Sequence, residues 1–156
     1  MAGTAGSPRE ADPVMEALER ELTVLLRRAR ASSGEMAREV HPDLEPAAYG
    51  ILARLAETGP ERATVLAGYF GVGKATMSRQ LRALEDLGLV RREPDPADGR
   101  AFLVQLTTEG AERFSRVRQA RRARYVNRLS GWDRDELREL ARLLGQLNSS
   151  QEQESA

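Results

Sequence analysis

The stretch Gly73–Thr107 constrains this chain more than any other, because its pattern of apolar residues changes in the middle. Its first part carries apolar side chains at Met77, Leu81 and Leu84, a spacing of roughly one helical turn that predicts a helix with one buried side. Gly88 follows this pattern at the position where a helix commonly ends. We therefore predict one short amphipathic helix that stops at this glycine.

The other side of this predicted helix is short, polar and cationic. An α-helix of this kind fits a DNA major groove, where each base pair presents its own donor and acceptor pattern. We expect Thr76, Ser78 and Arg79 to approach bases, with the arginine forming paired hydrogen bonds to guanine. Lys74 and Arg82 lie nearer the ends of the helix and are expected to contact phosphates.

A predicted β-hairpin follows the helix. Leu89–Glu93 and Phe102–Leu106 have strand-like composition, and residues 95–99 between them are turn formers. Arg100 follows this turn, and a projecting arginine can enter a narrow minor groove, where the negative potential is strong. Asp98 is the expected orienting partner of that arginine. A helix and a hairpin in this order together indicate a winged helix.

The chain resembles the MarR family of bacterial transcriptional regulators. The matches lie in the helix-turn-helix, in the wing and in the residues that close the wing. They are Leu66, Ala67, Gly71, Val72, Met77, Ser78, Arg79, Leu84, Glu85, Gly88, Leu89, Val90, Arg92, Pro94, Pro96, Asp98, Arg100, Leu106, Thr107 and Gly110. Two positions depart from the family pattern: Gln80 replaces a usual apolar residue, and Gly99 stands where a second arginine is frequent.

The resemblance extends from about residue 12 to residue 147 and implies a complete architecture. The fold would be mainly α with a small β-hairpin wing, and its winged helix-turn-helix core would occupy residues 44–107. Long dimerisation helices at residues 12–40 and 108–147 would flank this core. A homodimer would place two recognition helices in successive major grooves of double-stranded DNA, at a pseudo-palindromic operator. We expect a repressor.

The resemblance also implies a ligand site. Relatives hold small aromatic or carboxylate ligands between the dimerisation helices and the winged core, and His41 and Tyr49 are the candidate contacts here. Each residue also has an ordinary explanation. The histidine lies between two predicted helices, where it would be a cap or surface residue, and the tyrosine lies on a helix that buries an apolar side.

Composition narrows the remaining function classes. The 156 residues include 24 basic and 24 acidic side chains, so a DNA-binding protein of this composition must segregate its charges. Residues 113–128 contain seven arginines and no acid, whereas residues 10–21 contain five acids and one arginine. Either these segments neutralise each other when long helices pack, or part of the arginine run faces phosphates. Without cysteine, the chain has no disulfide, thiolate metal ligand or cysteine redox sensor.

The chain contains no apolar segment typical of a signal peptide or a membrane span. We expect a cytoplasmic protein that needs no cofactor. Residues 1–11 and 148–156 are polar and predicted to be disordered tails. Helices are predicted to begin at Pro13 and Pro46, and Ser32–Gly34 could kink the first of them. A third helix is predicted over Arg62–Phe70.

Two other functions compete with DNA binding. Gly68–Ala75 fits the phosphate-loop pattern G-x-x-x-x-G-K-[ST] except at its last position, where alanine lacks the hydroxyl that binds Mg²⁺. A nucleotide-binding enzyme would be revealed by ATP or GTP protection against thermal unfolding. A helical interaction module would use its leucine-rich sides for a protein partner and would not retain DNA.

Overall fold

The computed structural model describes residues 12–154, so the predicted tail at residues 1–11 lies outside the described chain. The helices are α1 Pro13–Val40, α2 Pro46–Thr58, α3 Ala63–Phe70, α4 Lys74–Asp86, α5 Thr108–Arg128 and α6 Arg134–Glu154. The strands are β1 Glu61–Arg62, β2 Val90–Asp95 and β3 Asp98–Leu106, which form one antiparallel sheet in the order β1-β3-β2. The prediction of a mainly α fold with a small β wing is confirmed. The chain divides into two compact units, and the division falls between Ser115 and Arg116 within α5.

The start and end of α1 follow from local sequence. The Asp12 carboxylate accepts a hydrogen bond from the backbone N–H of Val14 at 3.0 Å, and Pro13 occupies the first helical position. The helix ends before His41, whose extended backbone is the conformation that a residue preceding proline prefers.

Helix α1 is continuous across its polar interior. The helix runs without interruption through Ser32–Gly34. The Ser33 hydroxyl donates to the carbonyl of Ala29 at 3.0 Å, one turn earlier, and this hydrogen bond therefore stays within the helix. The last turns of α1 bury Met36, Ala37 and Val40 and pack on α2.

Strand β1 was not expected from the sequence, which predicts that a helix already includes Arg62. Instead, Glu61 and Arg62 pair with Val104 and Leu103 of β3, and α3 begins one residue later. A strand of two residues has no periodicity of its own, and only its partner in the sheet defines it.

The core of the first unit lies between α2, α3, α4 and the sheet. Its fully buried large side chains are Ile51, Leu52, Leu66, Met77, Leu81, Leu84, Leu89 and Val104. Burying each such side chain contributes roughly 1.5–3 kcal/mol. This core fixes the inner side of α4 and therefore decides which of its residues face solvent.

Helix α6 begins with a capping box. Asp133 Oδ1 accepts hydrogen bonds from the backbone N–H groups of Asp135 and Glu136, and the Glu136 carboxylate accepts one from Asp133 in return. The helix continues to Glu154, although the sequence predicts a polar tail from residue 148, and residues 155–156 lie outside the described chain. Polar composition argues against burial, but it does not prevent continued helical hydrogen bonding.

Candidate nucleic-acid interface

A tight turn joins α3 to α4. Gly71 adopts the left-handed conformation, with φ 63° and ψ 32°, which glycine accepts without strain. The backbone N–H of Val72 donates to the carbonyl of Ala67 at 3.1 Å and closes the turn. Ala67 is buried and the side chain of Val72 is half-buried, so the two helices meet at small or medium side chains. This arrangement is a helix-turn-helix.

Helix α4 has the two sides that the sequence predicts. Met77, Leu81 and Leu84 are buried. Gln80, which departs from the family pattern, lies half-buried at the border of the two sides. Gly88, with a positive φ of 72°, follows the last turn and allows the chain to turn into β2.

The outer side of α4 carries the predicted contact residues. Thr76 and Ser78 are half-buried, and Lys74, Arg79 and Arg82 are exposed. Within the described part of the chain, these three cations take part in no hydrogen bond or ion pair of their side chains. They are therefore free to neutralise phosphates or to bind base edges.

An ion pair attaches the wing to α4. The Arg92 Nε atom of β2 lies 3.0 Å from a carboxylate oxygen of Glu85 in the last turn of α4. This contact joins the base of the wing to the end of α4.

The wing turn is the dipeptide Pro96-Ala97, and the strand register shifts beside it. Pro94 lies opposite Phe102 and Asp95 lies opposite Asp98, so residues 99–101 bulge without a partner across the strand. Arg100 is exposed within this bulge.

Asp98 contacts Arg100 through the backbone. Its Oδ1 atom accepts a hydrogen bond from the Arg100 backbone N–H at 3.1 Å. The Arg100 guanidinium forms no hydrogen bond or ion pair with the residues that the structure describes. Asp98 therefore shapes the backbone of the bulge, while the charged end of Arg100 stays available.

Asp95 is a wing residue that the sequence analysis did not identify. Its side chain is buried, and its carboxylate accepts hydrogen bonds from the Ala97 backbone N–H at 2.8 Å and from Arg62 Nε at 2.7 Å. These two donors hold the pKa of Asp95 below its usual value. The sequence signal that could have identified Asp95 is its position two residues before a turn amide, which is the spacing of an Asx turn.

Residues 44–102 match the model of the MarR family. YxaD, an HTH-type transcriptional regulator of Bacillus subtilis, is 35% identical over 136 residues, which cover 87% of this chain and 94% of that protein. This chain belongs to the MarR family. It is a DNA-binding transcriptional regulator and not an enzyme.

Solved structures of the MarR fold agree. A probable transcriptional regulator from Pseudomonas aeruginosa is 29% identical with a TM-score of 0.60, over 83% of this chain and 98% of that one. The apo form of MarR from E. coli is 24% identical with a TM-score of 0.67, over 89% of this chain and 98% of that one, and it shows the same fold.

The competing phosphate-loop pattern has no matching structure in this MarR-family chain. A phosphate-binding loop follows a strand, whereas Gly68 lies within α3 and Ala75 lies in the first turn of α4. Within residues 12–154, none of the helices combines the length with the apolar content that a membrane span requires.

The two candidate ligand contacts lie on either side of the link from α1 to α2. His41 caps α1 and is half-buried, and its Nδ1 atom accepts a hydrogen bond from the Asp43 backbone N–H at 3.1 Å. Tyr49 is buried in α2, with its ring 5.4 Å from that of Phe114 in α5. Arg113, the residue before this phenylalanine, donates to the carbonyl of Val40 at 3.3 Å. The first turns of α5 therefore contact Tyr49 through Phe114 and the backbone directly before His41 through Arg113.

Proposed function

We propose that this MarR-family regulator is a repressor that binds a pseudo-palindromic operator as a homodimer. The observation that carries the proposal is the division of α4 into a buried apolar side and an outer side whose cations form no side-chain ion pair with the described residues. Unpaired exposed cations gain from phosphate neutralisation, and no existing ion pair has to be broken first. The outer side of α4 would lie in the major groove.

Each residue of α4 has a proposed role that depends on its position. Arg79 reads a guanine through paired hydrogen bonds, and Thr76 and Ser78 approach the neighbouring bases. Lys74, at the first position of the helix, and Arg82, nearer its end, hold phosphates and carry no sequence information. Arg100 enters the adjacent minor groove from the bulge of the wing.

Exposed apolar stripes support the homodimer. In α1 the exposed apolar residues include Val14, Met15, Leu18, Leu25 and Leu26. In α6 they include Leu143, Leu144 and Leu147. A stripe of this kind along a long helix is typical of a surface that packs against another helix. We propose that residues 12–40 and 108–147 supply the dimer contacts and that residues 44–107 bind DNA.

The test is selection of bound duplexes from a random pool, at two salt concentrations, for the wild type and Arg79→Ala. We expect the wild type to enrich a pseudo-palindrome with half-sites about 10 bp apart. Arg79→Ala should cost on the order of 1–3 kcal/mol on that operator and relax the preference at one base position of each half-site. Binding curves on the selected operator and on unrelated DNA measure both effects.

Lys74→Ala is the matched control, because it removes one cation from the same exposed side of α4. It should weaken operator and unrelated DNA alike and reduce the salt slope by roughly one. An equal loss for Arg79→Ala on both DNAs would refute direct reading by Arg79. Enrichment of a single half-site would argue against the homodimer.

We further propose that a small aromatic or carboxylate ligand releases the operator by binding beside Tyr49. The support is that the Tyr49 hydroxyl, within the described chain, is buried without a hydrogen-bond partner. A buried hydroxyl of this kind costs stability unless something satisfies it. A ligand acceptor would supply the missing hydrogen bond, and His41 would contact the same ligand. Release requires that the ligand favour a spacing of the recognition helices different from that of the DNA-bound dimer.

Tyr49→Phe tests this ligand proposal because it removes only the hydroxyl oxygen of that side chain. We expect the variant to be as stable as the wild type or more stable by roughly 1 kcal/mol. Operator release by benzoate and phenylacetate, followed by fluorescence anisotropy, should require higher concentrations for the variant than for the wild type. Tyr125→Phe is the control, since that hydroxyl is bonded to Arg121 at 3.0 Å and its ring is exposed. An identical response of Tyr49→Phe and the wild type to an aromatic acid that releases the operator would refute the role of Tyr49.

A further inference from the structure

Among the described residues, Asp95 is the buried charged side chain of the wing, with 7% of its surface exposed. Both carboxylate oxygens are used. Oδ1 accepts a hydrogen bond from the Ala97 backbone N–H at 2.8 Å. Oδ2 accepts one from Arg62 Nε at 2.7 Å and lies 2.5 Å from Arg62 Nη2. One side chain therefore shapes the wing turn and joins it to a distant segment of the chain.

Arg62 belongs to the frame of the helix-turn-helix. It lies in β1, directly before α3, and pairs with Leu103 of β3. Its neighbour Glu61 forms an ion pair with Arg54 of α2 at 2.8 Å, and both of these side chains are largely buried. The end of β2 is therefore connected through β1 to α2 and α3.

The opposite strand of the wing is irregular beside the turn. Residues 99–101 have no partner in the strand register, and the Arg100 backbone N–H donates a hydrogen bond to Asp98 within this bulge. Asp98 in turn lies opposite Asp95 across the hairpin. The bulge therefore begins directly after the residue that lies opposite Asp95.

We propose that Asp95 and Arg62 are positioning residues for DNA binding: they hold the wing in the orientation that presents Arg100 to the minor groove. This inference rests on the proposed role of Arg100. Desolvation of the buried Asp95 carboxylate offsets much of its attraction to Arg62, so we assign this ion pair a role in wing geometry rather than in net stability. The two ends of the wing have different anchors, since Glu85 and Arg92 join its base to α4.

Because Asp95 is negatively charged, the electrostatic and the geometric effects of its replacement should change DNA affinity in opposite directions. Removing a negative charge from a DNA-binding surface should by itself strengthen binding to DNA. A loss of affinity on Asp95→Asn therefore has to come from geometry. The asparagine retains an oxygen that can accept from Ala97, and Arg62 is 40% exposed and can be solvated when its partner is neutral.

The test is a double-mutant cycle on a duplex selected from the random pool, with Asp95→Asn, Arg100→Ala and the double variant. We expect Arg100→Ala to weaken binding about tenfold and Asp95→Asn about fivefold. The double variant should be no weaker than Arg100→Ala alone, because Asp95 acts through Arg100. Arg62→Gln provides a second variant that should behave like Asp95→Asn, and it serves alone if the latter does not fold. Circular dichroism checks folding in each case.

Glu93→Gln is the matched control, because Glu93 lies on the same strand, carries the same charge and forms an exposed ion pair with Arg91 at 2.9 Å. Its affinity should equal or exceed that of the wild type. If Asp95→Asn behaves like this control while Arg100→Ala is weakened, the positioning role is refuted. Losses that simply add in the double variant also refute it. An unchanged affinity for Arg100→Ala refutes the minor-groove role itself, and the positioning role falls with it.

Discussion

Replacing Gly110 with alanine is expected to lower the free energy of unfolding by about 3 kcal/mol or more. A Cβ atom at this position would lie 2.0 Å from the carbonyl oxygen of Leu89 and 2.8 Å from its carbonyl carbon. Both atoms belong to the backbone, so no side-chain rotation can make room. The first turn of α5 and the start of the wing would have to separate.

This separation would break a compact junction. The Thr107 backbone N–H donates to the carbonyl of Leu89 at 3.0 Å. The Thr107 hydroxyl donates to the carbonyl of Gly88 at 2.6 Å and accepts from the Gly110 N–H at 3.0 Å. Three chain segments, the end of the recognition helix, the start of β2 and the start of α5, therefore meet where a methyl group does not fit. The geometry of this junction therefore explains the presence of Thr107 and Gly110, two residues of the family motif.

Chemical denaturation followed by circular dichroism measures the effect of Gly110→Ala. Gly68→Ala is the matched control, because Gly68 is also helical and exposed, and a methyl group added there would point into open space. Alanine there should leave stability unchanged or raise it by up to about 1 kcal/mol, since alanine has the higher helix propensity. Equal stability of the two variants would show that the junction adapts to a side chain.

Replacing Leu81 with alanine is expected to lower the free energy of unfolding by about 2–5 kcal/mol. Leu81 has none of its surface exposed and occupies the middle of the apolar side of α4, between Met77 and Leu84. The substitution removes buried methyl groups and leaves a cavity under the recognition helix. The value within this range depends on how far the neighbouring side chains can close that cavity.

Val65→Ala is the control for this large-to-small change. Val65 lies in α3 of the same unit and is 50% exposed, so its truncation should change stability by less than about 0.5 kcal/mol. Both variants are measured by thermal and chemical unfolding. A cost of Leu81→Ala as small as that of Val65→Ala would contradict the assignment of this side of α4 to the core.

Much of the DNA-binding unit could be predicted because its signals are local. The apolar spacing of Met77, Leu81 and Leu84 follows the helical period, and it assigns the remaining positions of α4 to the outer side. Asp12 and Gly88 mark helix ends through hydrogen bonds and backbone angles that involve a few neighbouring residues. The prediction of the wing succeeded for the same reason, since turn formers separate two short strand-like runs.

The sequence was least informative where polar residues continue a helix. Ser32–Gly34 is helical within α1, and the Ser33 hydroxyl donates to the carbonyl of Ala29 in the same helix. Residues 148–154 remain helical although they offer no apolar side, because helical hydrogen bonds do not require burial. Composition predicts what a segment can bury, and it predicts backbone conformation less well.

The amino-acid sequence by itself determined the family of this protein, the two sides of its recognition helix and the place of its wing. Tertiary structure alone decided the strand β1, the burial of the Tyr49 hydroxyl and the pairing of Arg62 with Asp95, which are 33 residues apart. The physical reason is the separation along the chain of the residues that determine each feature. Helical period, caps and turns depend on neighbours in the chain, whereas strand pairing, burial of a hydroxyl and a buried ion pair depend on which distant segments the fold brings together.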